Sequence, residues 1–196
     1  MRKTTLICVR SFFFSALIII FNICETAVAQ VRSNILYGQL LLNNETFRPS
    51  LEKYRRDIDR LDKALSADHN DTIALFERAL LLDKFNNIQA FPKQDEPKAL
   101  QGLRTAERYA NRADSLGMKD IKLKVLRAQI YKDLAYRFLG DERWKYNGKA
   151  GVGRKNSFEL YKKKANELYE KLAELDVANA YDYKKLKETG EYPIKE

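Results

Sequence analysis

Eight cations gather between Arg143 and Lys164 (Arg143, Lys145, Lys149, Arg154, Lys155, Lys162, Lys163 and Lys164), opposed there by a single carboxylate, Glu159. The same stretch holds the chain's one tryptophan, Trp144, next to Tyr146. Arginine and lysine recognise carboxylates and phosphates, while large aromatics supply desolvated contact area, so the combination has the composition of a binding hot spot. A second cationic group, Arg104, Arg108 and Arg112, is spaced by four and therefore stacks along one helix face, with Glu107 partly offsetting it. The candidate partner-binding residues are thus Arg104, Arg108, Arg112, Arg143, Trp144, Lys145, Tyr146, Lys149, Arg154 and Lys155. Their chemistry is non-covalent: attraction of an acidic surface, with an aromatic anchor.

Covalent chemistry has little to draw on. His69 is the only histidine and sits in a turn between Asp68 and Asn70, and both cysteines, Cys8 and Cys24, lie in the N-terminal apolar segment. One histidine without cysteine cannot make the usual zinc sets or a thiol nucleophile, so no metal site is expected. Gly148-Lys149-Ala150-Gly151-Val152-Gly153 superficially resembles a phosphate-binding loop. However, Arg154 and Lys155 stand where Lys and then Ser or Thr are needed, and no apolar strand precedes it. Asp57, Asp59 and Asp62 are interleaved with Arg55, Arg56, Arg60 and Lys63, which reads as a charge-balanced solvated face and not as a tuned acid–base pair. Tyr109, Tyr131, Phe138 and Tyr169 fall at helical spacing with Leu and Ala and are assigned to the core. No catalytic residue and no cofactor is expected.

The elements that must position these residues begin after a targeting segment. Arg2 and Lys3 precede the apolar run from Phe12 to Ile23, and Ala27-Val28-Ala29 supplies the small-x-small pattern of a signal-peptidase site. The run is short against the about 20 residues of a membrane span. The reading is a signal peptide over 1–29, cleaved after Ala29, and an exported, periplasmic or cell-envelope protein. A retained anchor or a lipoprotein through Cys24 are the alternatives. Cleavage lowers the net charge from +9 to +7, so the mature chain stays basic and suits acidic partners: a protein face, lipid head groups or glycans. Nucleic acid matches the compartment poorly.

The full chain contains 45% hydrophobic and 32% charged residues with only 8 Gly and 4 Pro, a composition that favours helices. Residues 30–49 read as an N-terminal helix or lead-in, and no segment alternates convincingly as a strand. Helical stripes follow: Leu51, Tyr54, Ile58 and Leu61 behind Ser50; Ile73, Phe76, Ala79 and Leu80 behind Asp71; Leu100, Leu103, Ala106 and Ala110 up to Gly117; Ile121, Leu126, Ile130 and Leu134 up to Gly140; then Phe158, Ala165, Leu168 and Leu172. Irregular insertions are expected near 86–98 and 140–157, a repeat region over 50–188, and a tail over 189–196.

The helices repeat. Ala106 to Gly117 and Ala165 to Asp176 share one frame (small, two polar, two apolar, two polar, apolar, two more, Leu, turn), and Asp57 to Asp68 fits it through Leu61, Ala64 and Ala67. This frame resembles the second helix of tetratricopeptide repeats, with Leu61 to Asn70 the nearest stretch and Ala79 at the small position of a first helix. The frames lie 49 and 59 residues apart, not 34, which implies insertions of about 15 and 25 residues. The resemblance implies an all-α fold of antiparallel helix pairs stacked as a short right-handed solenoid, whose surface binds a protein or peptide. Function is accordingly expected to be a non-enzymatic adaptor for a protein or peptide partner, an acidic one matching the basic chain. The alternatives are a binder of envelope polyanions and, remotely, a cell-wall hydrolase or its accessory.

Overall fold

A computed structural model describes residues 31–42, 50–89, 97–139 and 148–192. The expected signal peptide and the Arg143, Trp144, Lys145, Tyr146 group lie outside the described residues. The remainder forms helices that pack against their neighbours in sequence, an all-α, solenoid-like array.

Three of the helices start behind a side-chain cap that the sequence offers. Helix α1 (Leu51–Ala67) begins behind Ser50, whose hydroxyl accepts from the Lys53 amide at 3.4 Å. Helix α2 (Thr72–Gln89) begins behind Asp71, whose carboxylate accepts from the amides of Ile73 (2.9 Å) and Ala74 (3.0 Å). Helix α3 (Pro97–Ser115) has proline at its first position, where the missing amide is not needed. Helix α4 (Ile121–Phe138) is capped by Asp120 through the Lys122 amide at 2.8 Å. Helix α5 (Gly148–Leu175) and the short α6 (Ala180–Leu186) follow, joined by a turn of 3-10 helix at Val177–Asn179.

The end of α3 is a Schellman motif. Gly117 has φ of 92°, the Met118 amide donates to the Ala113 carbonyl at 3.1 Å, and the Gly117 amide donates to Asp114 at 3.0 Å. Gly117→Ala is expected to lower stability by about 1 kcal/mol, because a side chain strains that left-handed backbone. Gly153 lies inside α5 with open space around it, so Gly153→Ala is expected to raise stability by about 0.5–1 kcal/mol. Urea denaturation of the two variants checks both signs.

Side-chain size sets the packing. Ala99, Ala106, Ala110 and Ala113 are buried along α3, and Ala79 of α2 is fully buried, so α3 can approach both α2 and α4 closely. Leu75, Leu80, Leu103, Leu126, Ile130 and Leu134 fill the space between them. Farther along, Phe158 packs with Ala135, Phe138 and Leu139 to seal α5 onto α4.

Two expectations are corrected. The lead-in is no helix: β1 (Ser33–Leu36) and β2 (Gln39–Leu42) form an antiparallel hairpin, with Ile35 opposite Leu40. Tyr37 (φ 51°) and Gly38 (φ 70°) both take positive φ, as a tight two-residue hairpin turn requires. Leu40 is fully buried, and its amide donates to the Gln129 side chain of α4 at 2.9 Å. Second, the basic stretch expected to be irregular to residue 157 is helical from Gly148, so Lys149, Arg154 and Lys155 are helix residues. Within the expected tail, the Tyr192 ring lies tilted against Phe158 with its centre 5.8 Å away. Among the described residues no helix is long and apolar enough to cross a membrane.

Candidate functional site

Helices α3 and α5 both lie against α4, and a groove of about 510 Å³ opens beside α3 with Tyr161 of α5 on its other side. Pro97 and Leu100 form its apolar end, and Arg104 and Arg108 its cationic side. Tyr161 is held by ring contacts with Tyr131 (6.1 Å) and Phe138 (6.0 Å), both on α4. The groove is therefore built on packed helices, which position side chains more precisely than a loop does.

Glu107 explains why the arginines remain available. Its carboxylate accepts from the Tyr161 hydroxyl at 3.2 Å and pairs with Lys164 at 3.4 Å, so it is turned toward α5. Burial, followed by the Glu107 charge, pushes the Tyr161 phenol up to about 12, which keeps it a donor at neutral pH. With Glu107 so engaged, Arg104 is exposed and pairs with no carboxylate among the described residues. Arg108 is also exposed, bound to the Thr105 hydroxyl at 3.1 Å.

The remaining candidates divide. Arg112 continues the row but donates to Asn70 in the α1–α2 turn at 2.9 Å and does not line the groove. Lys149 and Lys155 are exposed on α5. Arg154 is corrected from a partner-binding residue to a structural one: it donates to the carbonyls of Arg137 (2.8 Å) and Leu139 (3.5 Å) and lies 5.5 Å from the Phe138 ring centre. It thereby satisfies carbonyls that the end of α4 leaves open. Sequence reasoning did not single out Tyr161 and missed the groove role of Leu100. The signal was present in the four-residue spacing that continues Leu100, Arg104, Arg108.

A second polar cluster is sealed inside. Asp83 of α2 is fully buried, its carboxylate 3.6 Å from the Lys84 ammonium and beside Asp133 of α4. Burial first, then Asp133, push the Asp83 carboxyl up to about 7, against the opposing pull of Lys84. The neighbouring Tyr169 phenol is also raised, by burial and then by Asp133 and Asp83. Near it, Arg137 donates to Asn86 at 3.1 Å, and Asn86 donates to the Ala99 carbonyl at 2.6 Å, linking α4, α2 and α3. With no solvent contact, Asp83 bears on stability and not on a substrate. Among the described residues no group of three or more His, Cys, Asp or Glu could hold a metal ion.

Comparison of the chain with protein-family models, with curated proteins and with solved structures finds no match.

Proposed function

We propose that this chain is an exported, non-enzymatic adaptor of the tetratricopeptide-repeat type that binds an acidic protein partner. The observation that carries the reading is the groove beside α3, where Arg104 and Arg108 pair with no carboxylate among the described residues and lie next to the apolar surface of Pro97, Leu100 and Tyr161. Apolar contact supplies affinity there, and the two guanidinium groups select for negative charge. The repeat frames that end at Asp68, Gly117 and Asp176 support the family, since each coincides with the end of a helix, α1, α3 and α5.

Cross-linked capture from a cell-envelope fraction tests the reading, comparing the protein with its Arg104→Glu/Arg108→Glu variant. Both positions are exposed, so the fold is expected to persist. Proteins held by the parent and lost by the variant are the expected result. The exposed Lys149, Lys155 and Lys163 on α5 favour a second reading, in which the ligand is a lipid or glycan polyanion. Recovery of lipid or glycan alone, released by moderate salt and unaffected by the two substitutions, would replace the adaptor with that reading.

A further inference from the structure

Helix α5 is charged unevenly along its length. Its first part, 148–164, carries six cations against Glu159, whereas 165–175 carries Glu167, Glu170 and Glu174 against Lys171. Packing takes up half of the six. Arg154 closes carbonyls at the end of α4, Lys162 donates to the Gly190 carbonyl, and Lys164 pairs with Glu107. Lys149, Lys155 and Lys163 are left exposed. Glu167 lies 3.9 Å from Lys163, but both side chains are largely in solvent, so the pair holds that lysine weakly.

Among these lysines stand two apolar side chains that the fold leaves in water. Val152 is 60% exposed and Leu160 is 50% exposed. At about 100° per residue, Leu160 points about 160° away from the buried Phe158, and Val152 about 120° away. Lys149 and Lys163 fall on the same outward side, about 21 Å apart along the axis, with Lys155 at its edge. Tyr161, the residue that α5 lends to the groove, is turned about 100° from Leu160. The outward face and the groove are therefore separate surfaces, and one can be covered while the other stays open.

Residue type selects the occupant. The groove cations on α3 are arginines, whose planar forks suit individual carboxylates. Those of the outward α5 face are lysines, point charges that need no fixed acceptor geometry and suit a diffuse layer of phosphate. A soluble polyanion would meet the lysines and offer nothing to Val152 or Leu160. An acidic protein face would call for aromatic or arginine anchors, among which valine and leucine are scarce. A lipid interface offers both contacts: an acyl boundary for the apolar side chains, and anionic head groups for lysines whose stems lie along it.

We propose that the outward face of the first part of α5 docks on an anionic lipid surface. Val152 and Leu160 enter the head-group boundary, and Lys149, Lys155 and Lys163 meet the lipid phosphates. The docking goes beyond the adaptor reading and does not rest on it, because it uses other residues and leaves the α3 groove open to a protein partner. It is also narrower than the polyanion reading, since it requires the two apolar side chains.

Vesicle co-sedimentation tests it, using the chain from Gln30, which holds all of residues 31–192. One set of vesicles is phosphatidylcholine alone, and the other contains about 30% phosphatidylglycerol. The parent is expected to partition onto the anionic vesicles and not onto the neutral ones. Lys149→Gln/Lys155→Gln/Lys163→Gln is expected to lower that partitioning about 100-fold, roughly fivefold for each lysine. The matching triple change to arginine is expected to retain it, which separates loss of charge from loss of fold. Val152→Ser/Leu160→Ser is expected to lower it about tenfold, and Arg104→Gln/Arg108→Gln to leave it unchanged. Equal partitioning onto both vesicles, partitioning onto neither, or full binding by the glutamine variant overturns the proposal. Binding that needs the lysines but ignores Val152→Ser/Leu160→Ser overturns the lipid assignment in favour of polyanions at large. None of these outcomes touches the adaptor reading, which stands or falls with Arg104 and Arg108 in the capture experiment.

Discussion

Asp83→Asn is expected to stabilise the protein at alkaline pH and to do so progressively less as the pH falls. Asp83 is fully buried on α2. Its carboxyl is raised from 3.8 to about 7, by burial first, with Lys84 opposing and Asp133 adding to the shift. The charged and titratable groups that act on it or feel its charge are Lys84 on its own helix, Asp133 on α4 and Tyr169 on α5. A carboxyl raised on folding holds its proton more tightly in the native state than in the unfolded chain. Its stabilising contribution is therefore complete below about pH 4, drains away as the pH climbs, and is gone above about pH 7. A shift of this size corresponds to roughly 4 kcal/mol across the window. Asparagine keeps the shape and never ionises. The stability gap between Asp83→Asn and the parent should accordingly widen from about pH 4 to about pH 8, read by urea denaturation at each pH. A gap that stays constant would show that Asp83 does not change its proton affinity on folding.

The second large effect belongs to Phe158. Its side chain is fully buried against Ala135, Phe138 and Leu139, with the Tyr192 ring 5.8 Å away. Phe158→Ala removes the plug between α5 and α4 and is expected to lower stability by about 3–5 kcal/mol, a large share of the 5–15 kcal/mol typical of a domain. Phe158→Leu, which keeps most of the volume, should cost under about 1.5 kcal/mol. The midpoint of urea denaturation separates the two. The substitution also bears on binding, because Phe138 touches both Phe158 and Tyr161. Loosening that contact should weaken partner binding in the groove by more than the fraction of unfolded protein accounts for.

Most of the helical framework was legible because its signals are local. Ser50, Asp71 and Gly117 act at the helix ends as their residue types require, and of the apolar stripes between them Leu61, Phe76, Leu103 and Leu126 are buried while Leu51 and Ile73 are exposed. The hairpin was not legible, for two reasons that compete within ten residues. Its inward positions, Ser33, Ile35, Leu40 and Leu42, alternate correctly, but outward-facing Leu36 and Leu41 hide the period. The Tyr37-Gly38 pair was the available clue. The start of α5 misled in the opposite sense. Gly148, Gly151 and Gly153 argue locally for a loop, yet Arg154 reaches back to the carbonyls ending α4 and the stretch is helical. At the candidate site the arginine spacing was legible and the groove was not. Leu100 and Tyr161 become neighbours of the arginines only through packing on α4.

The hairpin has a consequence for how the chain folds. An open array of helix pairs can grow from any point, since each pair needs only the next one. Here the hairpin, the first of the described elements, docks far along the chain. Leu40 docks on Gln129, Lys122 donates to the Ser33 carbonyl at 2.6 Å, and an added methyl at Gly38 would meet Leu186 at 3.0 Å. The hairpin residues must therefore wait for α4 and α6, some 90 to 150 positions later, before they find their places. Contacts that span so much sequence slow folding and are made late. On a ribosome the hairpin would emerge before the helices it docks on and settle after them, and its docking would turn a row of separable units into one that melts together.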